Sequence, residues 1–359
     1  MLYANQILDS AMTYYQLVAS MGLTLVLVFG VLFGLLIGVG FYYNVGIYFM
    51  VVLAIVFSLI QWYVSPILIK KTMKMRPLDT NQHPWIKDTV ERFCLQNRLR
   101  IPTLLISDTS MPNACVFGRT ASSCNLAVTR GLLSQLTEDE VKAVIAHEVG
   151  HIKHKDMIVM TVISVIPTIA YMIAISTMFR GMMGGRNSGG AILIGVGAFV
   201  VYMITNLLIL HFSRLREFYS DRFAGLQTKR PLHLATALAK ISYGITLEKQ
   251  RESKLGWSSR QQEEGQHVSE RAFFISDPVN AGNDFLALAE HYKGGSQKAI
   301  QISDNMAEKI KKAVEDEKKK TRSNMLTKVG HMFMTHPPTY QRIERLYQLD
   351  ADLNSSKQP

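Results

Sequence analysis

The sequence predicts a mainly helical membrane protein with four transmembrane helices and a small β-sheet. The chain has 359 residues, and no Asp, Glu, Lys, Arg or His occurs between Asp9 and Lys70. That run of roughly 60 residues is long enough for two spans of about 20 residues and a turn. A soluble helix would need charges on its outer face, and this stretch has none. Two more apolar runs follow after a polar segment of mixed helical and strand pattern.

Residues 1–76 are predicted to form an N-terminal transmembrane hairpin. We place the first span at about Met21 to Phe41 and the second at about Val45 to Ile69. A basic n-region and a cleavage site are missing before the run, and the run is far longer than the apolar part of a secretory signal, so we expect the spans to be retained. By the positive-inside rule, the second span ends in the cytoplasm, because it is followed by Lys70, Lys71, Lys74 and Arg76.

Residues 77–156 are predicted to form a small α/β segment. His83–Asn97 has the pattern of an amphipathic helix, and Leu104–Ile106 and Asn125–Thr129 have the composition of strands. Met111–Ala114 is expected to be a turn between them. Thr137, with Glu140 three residues on, is a capping box that opens the next helix.

Residues 157–213 are predicted to form a second transmembrane hairpin. The helix opened at Thr137 is expected to continue past Asp156 into a third span, Met157 to Phe179, and Ala191 to Phe212 supplies the fourth. Four spans return the chain to the cytoplasm, so residues 214–359 and both termini are expected there. A charged segment at Asn305–Lys320 is predicted to form a solvated helix.

Charge and cysteine content exclude two other classes of protein. The net charge is +11, but the basic residues gather beside the spans and no base-stacking motif accompanies them, so we predict no nucleic-acid partner. The three cysteines have no metal-ligand spacing. They indicate free thiols on a reducing side of the membrane.

The segment His147-Glu148-Val149-Gly150-His151 has the spacing of a zinc site. Residues four apart share a helix face, so His147 and His151 can present two imidazoles to one metal ion. Glu148 then lies beside the metal as a general base that activates water.

A catalytic zinc needs a third protein ligand, and the second hairpin brings a candidate to the histidines. Residues just after the fourth span return to the level of residues just before the third. We therefore expect Glu217 to be the third ligand, and Asp221, one helical turn later, to fix the tautomer of a ligating histidine. The alternative is that Glu217 is a surface carboxylate paired with Arg214 or Arg216.

These motifs resemble those of the HtpX-type membrane zinc metallopeptidases, which are relatives of the CAAX prenyl proteases. The resemblance covers nearly the whole chain, including two spans before the first ligands and two between the ligand motifs. It rests on four motifs in order: Pro112-Asn113-Ala114, His147-Glu148-Val149-Gly150-His151, Arg216-Glu217-Phe218-Tyr219-Ser220-Asp221 and His336-Pro337-Pro338.

The resemblance implies a gluzincin-type zinc protease domain on the cytoplasmic side of the membrane. One Zn²⁺ per chain would be held by His147, His151 and Glu217, with Glu148 as catalytic base. His336 and Arg342 would stabilise the oxyanion of the tetrahedral intermediate. The alternative for His336 is a polar lead-in to a helix that starts at Pro337-Pro338.

The resemblance also implies where substrate binds. Asn125–Thr129 matches the edge strand against which relatives lay an extended substrate, and backbone pairing explains broad sequence tolerance. The substrate-binding residues implied are Asn113, Ala114, Asn125, Leu126, Ala127 and Val128. Relatives usually carry Ala where this chain has Ser220, a small change for which we expect no loss of function.

The function that the resemblance implies is a membrane-integrated zinc endopeptidase of a prokaryotic cell membrane. It would cut misfolded or damaged membrane proteins at the cytoplasmic face, and its partners would be the lipid bilayer and these substrates. One alternative is a CAAX-type prenyl-protein protease, whose relatives usually have more spans. Others are a zinc-regulated transporter and a scaffold without proteolysis, which the uncharged span interiors and the intact Glu148 disfavour.

Overall fold

A computed structural model describes residues 47–183, 188–254 and 336–355. The predicted first span at Met21 to Phe41 and the charged segment at Asn305–Lys320 lie outside the described residues. The described helices are α1 (Ile47–Thr72), α2 (Pro84–Gln96), α3 (Arg130–Gln135), α4 (Glu138–Lys153), α5 (Asp156–Met182), α6 (Ser188–Thr228), α7 (Pro231–Lys254) and α8 (Thr339–Ser355). The strands are β1 (Arg76–Pro77), β2 (Thr103–Ser107), β3 (Ala114–Thr120) and β4 (Ser123–Thr129).

The four strands form one sheet in the order β1-β2-β4-β3. β2 and β4 are parallel, with Thr103 opposite Asn125, and β3 and β4 are antiparallel, with Ala114 opposite Val128. β4 is therefore an interior strand, and β3 forms an edge. The sequence prediction missed β3, and it placed Ala114 in a turn where the structure begins this strand.

The described residues divide into two compact units, residues 61–164 with 206–254 and 336–355, and residues 47–60 with 165–183 and 188–205. The first of these has an apolar core in which six helices, α2, α3, α4, α6, α7 and α8, and the sheet contribute buried side chains. α4 is buried on most of its circumference, and a helix in that position is held by packing more than by helix propensity. Core residues from these helices include Ile86, Val90, Val144, Ile145, Leu234, Leu238, Ile343 and Leu346.

Within the described residues, α5 and α6 are the two helices found long and apolar enough to cross a membrane. In the second unit, the buried side chains of Tyr171 and Met172 on α5 pack with Tyr202 on α6. Many large apolar side chains point outward on these helices, among them Val162 and Leu193. Exposed apolar surface of this extent marks contact with lipid or protein.

The structure corrects the expected path of the chain at the start of the second hairpin. α4 ends at Lys153, and α5 begins at Asp156, so the helix does not continue into the third span. Lys155 between them has a φ of 56°, the left-handed conformation that ends a helix. This break lets the first residue of α5 turn its side chain back toward α4.

Candidate metal centre

The start of α4 is fixed by a capping box and by a buried ion pair with α7. The capping box predicted at its start is present, with the Thr137 side chain accepting from the Glu140 N–H and Oε2 of Glu140 accepting from the Thr137 N–H at 2.8 Å. Nζ of Lys240 on α7 donates to the same Oε2 at 2.8 Å, and this ion pair is buried. A rigid α4 holds the histidine pair at a constant separation.

His147, His151 and Glu217 lie together in the interior of the unit that contains α4 and the sheet. One ligand atom from each falls within 4.8 Å of the other two. The two Nε2 atoms are 3.1 Å apart, and the Glu217 carboxylate oxygens lie 3.5 Å from Nε2 of His147 and 3.6 Å from Nε2 of His151. The sequence prediction that the hairpin delivers Glu217 to the histidine pair therefore agrees with the geometry.

The close approach of α4 and α6 depends on a glycine. A Cβ added at Gly150 would lie 3.2 Å from Cα of Ser220 and 3.1 Å from the Phe223 ring. These distances are tighter than ordinary van der Waals contact, so a larger residue would push α6 away from α4. Gly150 thus allows Glu217 on α6 to reach the histidines on α4.

The donor set fits a zinc ion. Two imidazoles and one carboxylate are the ligands of a known class of catalytic zinc site, which leaves a fourth position for water. Oε2 of the buried Glu217 makes no hydrogen bond with any of the described residues. Burial by itself lowers the pKa of His147, but the Asp221 and Glu217 carboxylates outweigh it and raise that pKa to about 9. The site is therefore built to hold positive charge.

Asp221, which was expected behind a ligating histidine, lies beside the outer nitrogen of His147. Its Oδ1 lies 2.9 Å from Nδ1 of His147, which leaves Nε2 facing Glu217. Arg342 on α8 binds the same carboxylate with two hydrogen bonds, Nε to Oδ2 at 2.8 Å and Nη2 to Oδ1 at 2.7 Å. All of these groups are almost fully buried.

Asp156 makes the equivalent contact for the second histidine, a role that the sequence analysis did not give it. Its Oδ2 lies 2.6 Å from Nδ1 of His151, and Oγ of Ser220 lies 3.1 Å from the same nitrogen. Two groups thus compete for one imidazole nitrogen. Asp156 follows His151 by five residues, and this closeness in sequence was a signal for the role. The helix break at Lys155, which turns the Asp156 side chain back toward α4, could not be predicted from the sequence.

Glu148 lies in the same buried region and faces the edge of the sheet. It is 3% exposed, and burial raises the pKa of its carboxyl group, which the nearby histidines partly offset. The N–H of Val116 on β3 donates a hydrogen bond to this carboxylate. The expected base therefore sits between the histidine pair and the edge strand.

Arg342, which was expected to face the oxyanion, lies among the carboxylates and histidines of the site, and its Nη2 is 3.5 Å from Nε2 of His147. Nε and Nη2 are both held by Asp221, and Nη1 lies 3.4 Å from Oε2 of Glu217. This geometry favours a guanidinium that positions the carboxylates around the histidines. His336, unlike Arg342, has a ring nitrogen that no hydrogen bond from the described residues holds. This nitrogen, Nδ1, lies 3.6 Å from Oε1 of Glu217.

The assignment of the substrate strand requires a correction. Asn125, Leu126, Ala127 and Val128 are on β4, which has β2 on one side and β3 on the other, so both of its edges are already paired. A substrate cannot add to such a strand. On this side the edge of the sheet is β3, which begins at Ala114 directly after Asn113.

An arrangement of this kind is typical of metallopeptidases that hold zinc with two histidines and a glutamate. Residues 80–350 match the model of Peptidase family M48. The chain therefore belongs to this family, which confirms the resemblance found in the sequence.

The relatives in the comparisons are named protease HtpX homolog. One from Aeropyrum pernix is 39% identical over 196 residues, which are 53% of this chain and 61% of that protein. One from Thermoplasma acidophilum is 32% identical over 273 residues, which are 74% of this chain and 83% of that protein. The crystal structure of S. mikatae Ste24p has a TM-score of 0.46 at 14% identity, and the match covers 90% of this chain and 64% of that one.

Proposed function

We propose that the protein is a membrane-integrated endopeptidase that uses one Zn²⁺ per chain. The observation that supports this most is the meeting of His147, His151 and Glu217 from two helices, with the Glu148 carboxylate beside them. The family and the apolar helices α5 and α6 support the same proposal.

Zinc bound by His147, His151 and Glu217 would polarise the scissile carbonyl and lower the pKa of water. Glu148 takes a proton from the attacking water at one carboxylate oxygen and later delivers it to the leaving amine. Its raised pKa suits this exchange, because a base that also acts as an acid works best near the operating pH.

The remaining polar groups orient these residues. Asp221 and Asp156 each hold the outer nitrogen of one histidine, which directs both Nε2 atoms inward. Arg342 holds Asp221 in place, and we assign it a positioning role. His336 is left as the side chain that donates to the oxyanion.

Substrate would bind in extended form along β3. The Val116 N–H on this edge points at Glu148, so a strand added there passes beside the base. Backbone pairing reads few side chains, which suits a protease for misfolded or damaged membrane proteins. With four spans, the termini and the site would lie on the cytoplasmic side of a prokaryotic cell membrane.

The test compares wild type with Glu148→Gln in the purified full chain. Wild type should cleave casein or an unfolded membrane substrate and stop when a chelator is added. Glu148→Gln should keep about one zinc per chain and lose at least about 100-fold in rate, the usual contribution of a general base. Full activity in that variant would contradict the mechanism, and cleavage restricted to prenylated peptides would favour the CAAX-type alternative.

A further inference from the structure

A cavity of about 370 Å³ lies between the end of α1 and the sheet, and neither histidine of the pair lines it. Three cationic side chains line it: Lys70 from α1, Arg100 from the turn before β2, and Arg119 from the end of β3. Ser122, in the turn after β3, and Ser123, the first residue of β4, line the same cavity, and no carboxylate of the described residues does. A volume of this size is in the range of small-molecule sites.

Within the described part of the chain, the positive charges in this cavity are not neutralised by acidic neighbours. Among the described residues, no carboxylate lies within ion-pair distance of Lys70, Arg100 or Arg119. Other surface cations of this chain do have such partners, as Arg76 has Asp108 at 2.9 Å. Three like charges around one cavity repel one another, and a bound anion would remove that cost.

Arg119 is held in place before any ligand arrives. Its Nε and Nη2 donate to the carbonyl oxygen of Tyr63 at 3.1 and 3.0 Å, and its guanidinium carbon lies 4.2 Å from the centre of the Tyr63 ring. Nε1 of Trp62 donates to the Arg119 carbonyl at 3.1 Å. These contacts orient the side chain without neutralising it, because the carbonyl and the ring carry no net charge.

The cavity lies where the apolar surface of α1 ends. Large apolar side chains are exposed along this helix from Phe49 to Leu68, and Pro66 and Ile67 form part of the cavity wall. Lys70 and Lys71 follow at once. Trp and Tyr are enriched at the membrane–water interface, and Trp62 and Tyr63 occur at this level. If α1 crosses the bilayer as proposed above, lipid headgroups reach the cavity.

We propose that this cavity binds the phosphate group of an anionic phospholipid. Lys70, Arg100 and Arg119 supply the positive charge, and the serine hydroxyls supply further donors. Juxtamembrane cations are typical partners of anionic headgroups. The same chemistry would accept free inorganic phosphate, so the test separates the two sources. The proposal rests on the membrane integration in the proposed function, but it requires neither zinc nor proteolysis.

The test uses the full chain purified in detergent and carrying Glu148→Gln, so that self-cleavage cannot interfere. Binding of short-chain phosphatidylglycerol, short-chain phosphatidylcholine and inorganic phosphate is measured by calorimetry. Phosphatidylglycerol should bind more tightly than the other two. Lys70→Gln and Arg100→Gln should each weaken it by about fivefold, the effect of one cation near an anionic headgroup. The matched control is Lys71→Gln, which removes an exposed neighbouring charge outside the cavity and should leave affinity unchanged.

Three outcomes would overturn the proposal. The first is equal binding of phosphatidylglycerol and phosphatidylcholine. The second is inorganic phosphate binding as tightly as the lipid, which would assign the cavity to free phosphate. The third is an equal effect of Lys71→Gln and the cavity variants. These outcomes are independent of the zinc and cleavage measurements. A chain without peptidase activity could still bind the lipid, so failure of the proposed function and failure of this proposal are distinguishable.

Discussion

At the scale of single residues, each histidine of the pair has its own carboxylate. Asp221 lies one helical turn beyond Glu217, so its position could be predicted from helix periodicity. Asp156 could not, because its contact with His151 depends on the left-handed Lys155. A sequence pattern gives spacing along a regular helix, but it does not give the direction of the chain after a helix ends.

We expect Asp156→Asn to weaken zinc binding by about 10- to 100-fold, the usual effect of removing a carboxylate behind a ligating histidine. The reason is that His151 loses the group that fixes its tautomer and orientation, with Ser220 left as a weaker partner. Zinc affinity is measured by competition with a chelator. Asp88→Asn, an exposed residue on α2, is the control. Equal affinities in the two variants would show that Asp156 has no such role.

Zinc binding should also release a proton at neutral pH. In the metal-free protein the pKa of His147 is raised to about 9, because the Asp221 and Glu217 carboxylates outweigh the opposing effect of burial. His147 is then protonated at pH 7, and a metal binds only the neutral ring. Calorimetry in buffers of different ionisation enthalpy should therefore report release of about one proton, and zinc affinity should rise with pH up to about pH 9. Identical heats in all buffers would contradict this assignment.

At the scale of elements, the sheet edge and the helix junction differ from the sequence prediction. β3 was missed because Ala114–Thr120 contains Gly118 and Arg119 and lacks a regular alternation. β4 has a clean apolar pattern, which is a property of a buried strand and not of an edge. By contrast, α2, β2, β4 and the capping box of α4 could be predicted, since each depends on residues close together in the sequence.

The edge strand gives a prediction of its own. Val116→Pro should lower kcat/KM at least about tenfold, because the outward N–H that faces Glu148 is lost while proline is tolerated at a sheet edge. Zinc content should stay at the wild-type level, since no ligand is touched. Val116→Ala keeps the N–H and is the matched control. Unchanged cleavage by Val116→Pro would place the substrate elsewhere.

At the scale of the whole molecule, the proposed four spans would place the metal centre at the cytoplasmic face of the bilayer. The proposed arrangement predicts that the end of α1 faces the cytoplasm and that the turn between α5 and α6 faces outward. Lys71 and Met183 are exposed at these two places. The native cysteines are buried, so single introduced thiols can report on the topology.

A membrane-impermeant maleimide applied to intact cells should label Met183→Cys and should label Lys71→Cys only after permeabilisation. The physical reason is that the bilayer separates the two positions when α5 and α6 both cross it. Unmodified wild type shows the background from the three buried thiols. Labelling of Lys71→Cys but not Met183→Cys in intact cells would show the opposite orientation. Equal labelling of both would contradict a membrane crossing between them.

Zinc content of the purified chain shows whether Glu217 joins the two histidines in holding one catalytic zinc ion. Purified wild type should contain about one zinc per chain, and the exposed control Glu138→Ala should match it. Glu217→Ala should lose most of its zinc together with peptidase activity, because two imidazoles alone do not complete the site. Stoichiometric, tightly held zinc in Glu217→Ala would show that Glu217 is not a ligand.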